Sequence, residues 1–496
     1  MNPDYFLAFD IGAASGRAFL GELKKDQIKI QEIYRFKNRM ISKGSHVVWD
    51  VYGLFDEIKK GLRKCVEENA KPISSIGIDT WGVDFGLFDQ KGNLISLPFA
   101  YRDQRNKKAM EEFLLKVSPQ KIYKLTGIQF LQFNSLFQLY AVKTQNPEIM
   151  DKAKNLLFMP DIFNYFLTGE MSTEFSYATT SQLFNPLKDK WEEQLFRALD
   201  VPVSLMQKID IAGIRLGLIN KNTAEEIGSN PLPVVLTANH DTASAVAAVP
   251  AQGKEWAFIS SGTWSIMGVE LDSPLINKKS FKLNFTNEGG INHRFRLSKN
   301  ITGFWLLQEC RKKWKTNKNI TYSELMKNIN SAEPFRSLID PDHLLFLKPL
   351  DMTKAIAWFC QKTFQPCPRK TPEFVRTILE SMAFKYRVVY DELCSLSPKT
   401  IKKIHIIGGG SRNQALCQFT ADALGIPVFS GPAEATAVGN IMIQAMAEQK
   451  VDSVESMRDL ISKSFTPQIY KPQRSEDWDR NYKRFKTLCE QGHDFK

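Results

Sequence analysis

Two segments, one at the start of the chain and one just past its middle, share the same pattern. Tyr5–Phe9 and Ala18–Leu23 are apolar strand candidates on either side of a turn of small residues, and Glu255–Ile259 and Ile266–Leu271 flank a second such turn. Short apolar runs bounded by small or polar residues are typical of buried strands. A chain of 496 residues can form two domains. The repeated unit predicts two domains of the same α/β construction, covering residues 1–249 and 250–496.

The first turn carries groups that suit an anionic ligand. Ala13, Ala14, Ser15 and Gly16 have small side chains, so backbone N–H groups can approach phosphate oxygens closely. Arg17 adds a guanidinium, whose geometry matches phosphate. Asp10, at the end of the preceding strand, has the carboxylate chemistry that binds magnesium through water. Taken alone, the turn is also compatible with an ordinary glycine-containing hairpin.

The second turn, Ser260–Ser265, is rich in hydroxyl groups. By itself this segment is compatible with a simple serine-rich turn. It indicates a ligand site only because a matching turn is present near the N-terminus. Two such turns, one from each domain, can enclose a triphosphate between their backbone amides, with the Thr263 hydroxyl as a further donor. The repeated turn therefore favours a nucleotide site that both domains share.

An acidic residue stands near the middle of the chain, where a strand is followed by a helix. Val234–Leu236 is apolar, Thr237–Thr242 is polar, and Ala243–Val249 has the small residues of a tightly packed helix. In open α/β sheets, ligand contacts gather at this kind of junction. Asp241 is therefore a candidate general base for phosphoryl transfer. The alternative is a structural helix N-cap, a position that aspartate prefers.

A glycine-rich turn follows a strand candidate late in the chain. Gly408, Gly409 and Gly410 come after Ile404–Ile407 and before a helix that begins near Gln414. Glycines allow close backbone approach, and a helix N-terminus favours a phosphate. The run lacks the G-x-G-x-x-G spacing and the N-terminal βαβ unit of a dinucleotide site, so it fits a single nucleotide better.

A polar segment around Gly82 follows another strand candidate and is compatible with binding a polyol. The Asp84 carboxylate can accept hydrogen bonds from sugar hydroxyls, and the Trp81 indole can cover an apolar sugar edge. For Trp81, core packing is the alternative. Asn300 and Gln308, in the second half, have the character of pocket-rim residues.

The composition of the chain indicates which kinds of partner and which cellular compartment to expect. The net charge is +12, but the basic residues are scattered as short pairs, so we expect no nucleic-acid partner. The seven cysteines are dispersed, without metal-binding spacing, which is typical of reduced thiols in a cytoplasmic protein. The sequence shows neither a signal peptide nor an apolar run of membrane-spanning length. We therefore expect no membrane partner. We also expect a monomer or a small homo-oligomer.

These motifs, taken in order, resemble the FGGY family of carbohydrate kinases. The resemblance covers nearly the whole chain, from FLAFDIGAASGR at the N-terminus to GPAEATAVGN near the C-terminus. It is carried between them by SIGIDTWGVDFGLFDQ, LPFAYRDQR, GIQFLQFN, MPDIFNYFLTG, NHDTASAV, SSGTWSIMG, FTNEGG, NITGFWLLQ and HIIGGGSRN. The resemblance implies an α/β fold of two duplicated ribonuclease H-like (actin-like ATPase) domains with an interdomain cleft.

The resemblance also implies roles for individual residues. Asp241 would be the general base, and Asp10 would help bind magnesium. The residues implied for ATP are Ala13, Ala14, Ser15, Gly16, Arg17, Thr263, Gln308, Gly408, Gly409 and Gly410. Those implied for the sugar are Gly82, His240, Asp241, Thr242 and Asn300. Ala14 stands where serine is expected; alanine has no hydroxyl to contact phosphate, and the backbone contacts remain.

The activity implied by the resemblance is ATP-dependent phosphorylation of L-rhamnulose to L-rhamnulose 1-phosphate. A kinase of the same family for fuculose, xylulose or ribulose is the nearest alternative. A non-catalytic sugar sensor that responds to ATP is a second alternative, against which the combination of Asp10, Arg17 and Asp241 argues.

Overall fold

A computed structural model describes residues 3–69, 71–315, 322–473 and 476–492. The residues group into two compact units. The first comprises Met1–Gln252, Glu270–Leu297 and Ala435–Phe465, and the second comprises Gly253–Val269, Ser298–Glu434 and Thr466–Lys496. Two segments from the second half of the chain thus belong to the first unit. Because compactness alone does not define a domain, the boundary between residues 249 and 250 stays a prediction. Among the described helices, none is long and apolar enough to cross a membrane.

The strands and helices follow one another along both units. The strands are β1 (Asp4–Ile11), β2 (Ser15–Lys24), β3 (Gln27–Lys37), β4 (Met40–Lys43), β5 (His46–Trp49), β6 (Ile73–Thr80), β7 (Phe85–Phe88), β8 (Asn155–Phe158), β9 (Thr173–Glu174), β10 (Phe184–Asn185), β11 (Lys190–Trp191), β12 (Ile209–Asp210), β13 (Ile214–Leu218), β14 (Pro233–Leu236), β15 (Trp256–Ser261), β16 (Trp264–Leu271), β17 (Thr286–Gly289), β18 (Phe295–Thr302), β19 (Lys403–Ile407), β20 (Val428–Ser430) and β21 (Gln468–Tyr470). The helices are α1 (Val51–Glu68), α2 (Arg105–Lys116), α3 (Pro119–Thr126), α4 (Ser135–Gln145), α5 (Pro147–Lys152), α6 (Met159–Thr168), α7 (Phe175–Thr180), α8 (Glu193–Leu199), α9 (Lys221–Ile227), α10 (Asp241–Ala247), α11 (Lys278–Lys282), α12 (Trp305–Lys315), α13 (Tyr322–Lys327), α14 (Met352–Lys362), α15 (Thr371–Leu396), α16 (Gln414–Leu424), α17 (Ala435–Ala447), α18 (Val454–Ser464) and α19 (Glu476–Gly492).

The main sheet of the first unit and six strands of the second main sheet follow the same order. The first has the strand order β13-β14-β6-β1-β2-β3, with β1 parallel to β6, β6 parallel to β14, and antiparallel strands outside them. The strands in or entering the second unit run β21-β20-β19-β15-β16-β18, again with β15, β19 and β20 parallel. The duplicated α/β fold expected from the two opening hairpins is therefore confirmed.

The two hairpin turns are tighter than the sequence pattern indicates. In the first, Gly16 and Arg17 already pair with Ile11 and Asp10, so they belong to β2. The amide N–H of Gly12 donates to the carbonyl oxygen of Ser15 at 3.0 Å and closes the turn. The strands were predicted from runs of apolar residues. The small residues next to the turn do not stand out in such a pattern, so the pattern cannot show that strand pairing continues through them.

Helices cover both faces of the first sheet. On one face, Leu7 and Phe9 of β1 pack in one buried cluster with apolar residues of α1, a helix whose first turn is capped by the Asp50 carboxylate. Side chains alternate along a strand, so Asp10 and its neighbours on β6 point to the other face. There α17 packs closely enough that a Cβ on Gly77 would lie 2.4 Å from Asn440 Oδ1.

Candidate active site

Three parallel strands of the first unit, β1, β6 and β14, end at the same edge of the sheet. Asp10 on β1 lies opposite Asp79 on β6, and Thr80 forms a bridge with His240 in the loop after β14. The amide N–H of Thr80 donates to the carbonyl oxygen of Asn239 at 2.9 Å. Residues that are far apart in sequence therefore share the edge where ligands bind in sheets of this kind.

Asp241 is the first residue of α10. His240 occupies the N-cap position, and its side chain makes no capping hydrogen bond. The Asp241 carboxylate accepts from the Thr242 hydroxyl at 3.1 Å, and the Asp241 side chain is 31% exposed. Asp241 therefore does not act as the N-cap. Its carboxylate is reachable from outside, as a general base must be.

The His240 imidazole lies beside this carboxylate, with Nε2 3.5 Å from Asp241 Oδ1. Gly82 faces the same nitrogen, since a Cβ on Gly82 would lie 3.1 Å from Nε2. Gly82, His240, Asp241 and Thr242, all expected to contact the sugar, thus meet within the first unit. Asn300 lies on β18 in the second unit, and its place in the sugar site stays a prediction.

A buried ion pair stands behind His240. Arg296, on β18, donates from one guanidinium nitrogen to Glu288 Oε2 at 3.1 Å, and Glu288 Oε2 lies 3.4 Å from His240 Nδ1. Burial alone would raise the pKa of Glu288. The hydrogen bond from His240 and the positive charge of Arg296 outweigh it and lower the pKa of Glu288 to about 2. Glu288 is therefore an anion at neutral pH.

The first turn brings Asp10 and Arg17 into contact. A guanidinium nitrogen of Arg17 donates to Asp10 Oδ2 at 2.5 Å, with the two side chains 22% and 9% exposed. Asn38 fixes the turn from outside, since its side chain donates to the carbonyl oxygen of Gly12 and its amide N–H to that of Ala14. The two charges predicted to meet phosphate and magnesium offset each other in this arrangement.

Asp79 is a site residue that the sequence pattern did not single out. It is fully buried, and Asn440 on α17 donates to its Oδ2 at 2.6 Å. Burial and the negative charge of Asp10 raise the pKa of Asp79, while the hydrogen bond from Asn440 opposes that rise. Oδ1 of Asp79 lacks a hydrogen-bond partner among the described residues. The described part of the chain contains no group of three or more histidine, cysteine or acidic side chains able to hold a metal by themselves.

Asp84 has a different place from the one that its polar segment indicates. It is fully buried, and it accepts from Trp49 Nε1 at 2.6 Å, Trp81 Nε1 at 2.9 Å, Gln138 Nε2 at 2.8 Å and the amide N–H of Tyr101 at 3.2 Å. Burial raises its pKa to about 6 against these bonds. Asp84 therefore organises the wall around Gly82 from inside rather than facing a ligand.

The predicted nucleotide residues of the second half gather in the second unit. The Thr263 hydroxyl and the Gln308 side chain lie 3.3 Å apart. The glycine run follows β19 and lies against Ser261 at the end of β15, where a Cβ on Gly410 would lie 2.1 Å from Ser261 Oγ. Gly408 has a φ of +78° and Gly409 faces open space. Gly408 and Gly410 therefore require glycine, the first for its backbone conformation and the second for lack of space, and the exposed Gly409 leaves its backbone accessible to a ligand.

Three residues at the site carried weak sequence signals. Glu288 is the one charged residue of the motif FTNEGG, and this is its sequence signal. Asp79 is the last residue of a strand candidate, and Arg296 belongs to no motif. The residues that these three side chains contact at the site are distant in sequence. No local sequence pattern could therefore identify Asp79, Glu288 and Arg296 as site residues.

Comparison with known proteins agrees with this architecture. The FGGY family model of carbohydrate kinases matches over residues 5–248 with its N-terminal domain and over residues 257–448 with its C-terminal domain. The chain is 46% identical over 482 residues to a rhamnulokinase of Bacteroides thetaiotaomicron, covering 97% of this chain and 99% of that one. It is 42% identical to a rhamnulokinase of Halalkalibacterium halodurans, covering 94% of this chain and 98% of that one.

Solved structures show the same fold at low sequence identity. A xylulose kinase from Rhodospirillum rubrum matches with a TM-score of 0.81 and 17% identity, covering 99% of each chain. A gluconate kinase from Lactobacillus acidophilus matches with a TM-score of 0.80 and 15% identity, covering 99% of this chain and 97% of that one. The family models, the near full-length relatives and the duplicated sheets lead to one conclusion: the chain belongs to the FGGY family of carbohydrate kinases.

Proposed function

We propose that this carbohydrate kinase transfers the γ-phosphoryl group of ATP to L-rhamnulose and releases L-rhamnulose 1-phosphate. The observation that carries the proposal is the Asp241 carboxylate, which is partly exposed beside His240 and Gly82 at the ligand-binding edge of the first sheet. The choice of sugar is supported by the relatives named rhamnulokinase, which match along nearly their full length.

In this mechanism Asp241 takes the proton of the attacking sugar hydroxyl as the new oxygen–phosphorus bond forms. Gly82, His240, Thr242 and Asn300 would orient the sugar. For ATP, we propose the first hairpin turn (residues 13–17), the Thr263 and Gln308 pair, and the glycine run 408–410. Phosphoryl transfer depends mainly on positioning and charge neutralisation, so the protein needs to supply no covalent chemistry of its own.

Magnesium fits the oxygen donors at the end of β1. Asp10 lies opposite Asp79 in the register of β1 and β6, and Asp79 Oδ1 lacks a hydrogen-bond partner among the described residues. Magnesium binds through one or two carboxylates together with water and phosphate oxygens. When bound, the ion neutralises charge on the phosphates. Asp10 would be its protein ligand. Arg17, now paired with Asp10, would then be available to the nucleotide.

The test is a coupled assay of ADP formation by the purified protein with ATP, magnesium and four ketoses: L-rhamnulose, L-fuculose, D-xylulose and L-ribulose. We expect the highest kcat/KM for L-rhamnulose, and phosphorus NMR should show the phosphate on its C1 hydroxyl. A higher kcat/KM for another ketose would reassign the substrate within the family. Binding of ATP and sugar without ADP formation would favour the non-catalytic sensor.

A further inference from the structure

The side-chain amide of Asn239 is buried shortly before Asp241, and two backbone carbonyl oxygens decide its orientation. With its nitrogen toward them, the amide donates to the carbonyl oxygen of Thr237 at 3.1 Å and to that of Ile78 at 3.3 Å. With its oxygen toward them, an acceptor would lie against two other acceptors, which is unfavourable away from water. The amide nitrogen therefore faces Thr237 and Ile78.

This orientation turns the amide oxygen of Asn239 toward Asp161, a residue in the first turn of α6. The end of the amide that faces Asp161 lies 3.4 Å from Oδ1 of that carboxyl group. An amide nitrogen at this place would donate to a carboxylate, but an amide oxygen can only accept. A hydrogen bond between the two side chains therefore requires a proton on Oδ1 of Asp161, which then donates to the amide oxygen.

The other contacts of Asp161 are compatible with a neutral acid. The residue is buried, and its Oδ2 accepts from the Thr173 hydroxyl at 2.9 Å and from the amide N–H of Phe158 at 3.3 Å. Within the described part of the chain, no arginine, lysine or histidine forms an ion pair with it. Burial and the negative charge of Glu174 raise the pKa of Asp161, although these hydrogen bonds oppose the rise.

The two alternatives differ in what they leave unsatisfied. An ionised Asp161 beside a reversed amide has one hydrogen bond from Asn239 at 3.4 Å, a buried charge without an ion-pair partner among the described residues, and an amide oxygen against two carbonyl oxygens. A neutral Asp161 lets the same amide make three hydrogen bonds, and no charge is buried. Because burial of an unpaired charge costs far more than one hydrogen bond contributes, the neutral acid is the more stable state.

The loop after β14 is held in place around Asn239. Its amide N–H donates to Glu174 Oε2 at 3.0 Å, and its carbonyl oxygen accepts from the amide N–H of Thr80 at 2.9 Å. We propose that Asp161 stays protonated in the folded enzyme and fixes the Asn239 side chain, so that this loop places Asp241 at the start of α10. The inference rests on the proposed role of Asp241 as general base. Asp161 is a positioning residue, because it acts through Asn239.

Infrared difference spectroscopy of the whole protein at neutral pH reads the protonation state. A protonated carboxylic acid has a carbonyl stretch that a carboxylate lacks, so the wild-type spectrum minus that of Asp161→Asn should contain this band. Asp89→Asn is the matched control: hydrogen bonds from Asn93 lower the pKa of Asp89, so its difference spectrum should contain carboxylate bands instead. Carboxylate bands without the acid band for Asp161→Asn overturn the proposal.

Kinetics with L-rhamnulose test the positioning role. Asparagine matches the neutral acid, since its oxygen can accept from Thr173 and Phe158 while its amide donates to Asn239. We expect kcat of Asp161→Asn to stay within a few fold of wild type. Asp161→Leu keeps the size of the side chain but cannot donate, so its kcat should fall about tenfold or more, with KM for ATP unchanged.

Two kinetic outcomes contradict the proposal. An equal loss of kcat in Asp161→Asn and Asp161→Leu would exclude a neutral donor, and wild-type kcat in Asp161→Leu would exclude a positioning role. If Asp161→Leu does not fold, the infrared band and the kcat of Asp161→Asn still decide whether the residue is an acid or a carboxylate. The infrared spectra are recorded without ATP or sugar, so the acid can be absent while L-rhamnulose is phosphorylated, or present while the kinase assay rejects that sugar.

Discussion

Three carboxylates lie at one edge of the first sheet, and they differ in how deeply they are buried. Asp79 is fully enclosed and its pKa is raised, Asp10 is nearly enclosed and paired with Arg17, and Asp241 remains partly exposed. A group that accepts a proton from a substrate must reach that substrate and be ionised beforehand. Of these three carboxylates, Asp241 alone combines exposure with a place next to His240.

The Asp241→Asn variant tests this division of roles. The amide keeps the size of the side chain and can accept one hydrogen bond, but it cannot take a proton. We expect kcat to fall at least about a hundredfold, while KM values for sugar and ATP change little. Steady-state kinetics with L-rhamnulose measure both quantities. Turnover within a few fold of wild type would remove Asp241 from the role of base.

Glu174, close to the site, makes the free energy of unfolding depend on pH. It is fully buried, and its Oε2 accepts from the Ser176 hydroxyl and from the amide N–H of Asn239, in the loop that leads to Asp241. Burial raises the pKa of Glu174 to about 7, although these hydrogen bonds oppose the rise. In the unfolded chain the same carboxyl has its ordinary, lower pKa. Between the two values the folded state binds more protons than the unfolded state, so this group favours folding at low pH and the advantage is lost as pH rises toward 7.

Urea unfolding of wild type and Glu174→Gln at pH 5 and pH 8 measures this contribution. The free energy of unfolding of wild type, relative to the variant, should fall by on the order of 1–3 kcal/mol from pH 5 to pH 8. Glu67→Gln, a change at an exposed glutamate of α1, is the matched control. The difference in free energy of unfolding between wild type and this variant should be the same at pH 5 and pH 8. A difference that is independent of pH for Glu174→Gln as well would contradict the raised pKa.

At the scale of elements, the position of Asp241 depends on how closely α10 packs against α17. A Cβ added at Gly439 on α17 would lie 1.8 Å from the backbone carbonyl oxygen of Ser244 on α10. A backbone atom cannot rotate out of the way as a side chain can, so the helices would have to separate. Because α10 begins with Asp241, any separation also moves the carboxylate.

Gly439→Ala should therefore lower both stability and activity. We expect the free energy of unfolding to fall by about 3 kcal/mol or more, and kcat to fall more than tenfold, because displacement of a catalytic group by a fraction of an ångström is costly. Gly217→Ala on β13 is the control, since a Cβ there meets its nearest atom at an ordinary 3.5 Å. A Gly439→Ala enzyme as stable and active as the control would show that the helices can adjust.

The limits of prediction from sequence are visible in the same elements. The hairpins, the loop that contains Asp241 and the glycine run are local patterns, so their residue types and spacing sufficed to locate them. The start of α17 lies in the motif GPAEATAVGN, but that motif does not indicate which strands the helix packs against. Asn440 and Asp79 are 361 residues apart, and no periodicity tells which strand a buried amide will meet. The Glu288–Arg296 pair was missed for the same reason, because its partner His240 lies in another segment of the chain.

At the scale of the whole molecule, the first unit is assembled from three separate stretches of chain. The C-terminal stretch supplies a buried polar network. Asn440 donates to Asp79, Gln444 donates to the carbonyl oxygen of Leu7 at 3.1 Å, and Ser75 donates to Gln444 Oε1 at 2.8 Å. Without α17, these polar groups on β1 and β6 would lose their partners and an apolar sheet face would meet water, each of which costs free energy.

A fragment of residues 1–252 should therefore lack a stable tertiary structure, although it contains every strand of the main sheet of the first unit. We expect weak near-UV circular dichroism and a broad urea transition, because secondary structure can persist where specific packing is lost. Addition of a peptide of residues 435–465 should increase the near-UV signal and sharpen the transition. The same peptide with Asn440→Leu and Gln444→Leu keeps the helix and its size but cannot bond to Asp79 or Ser75, so it should have much less effect. Cooperative unfolding of the fragment alone, with a native near-UV spectrum, would mean that the N-terminal half is independent of α17.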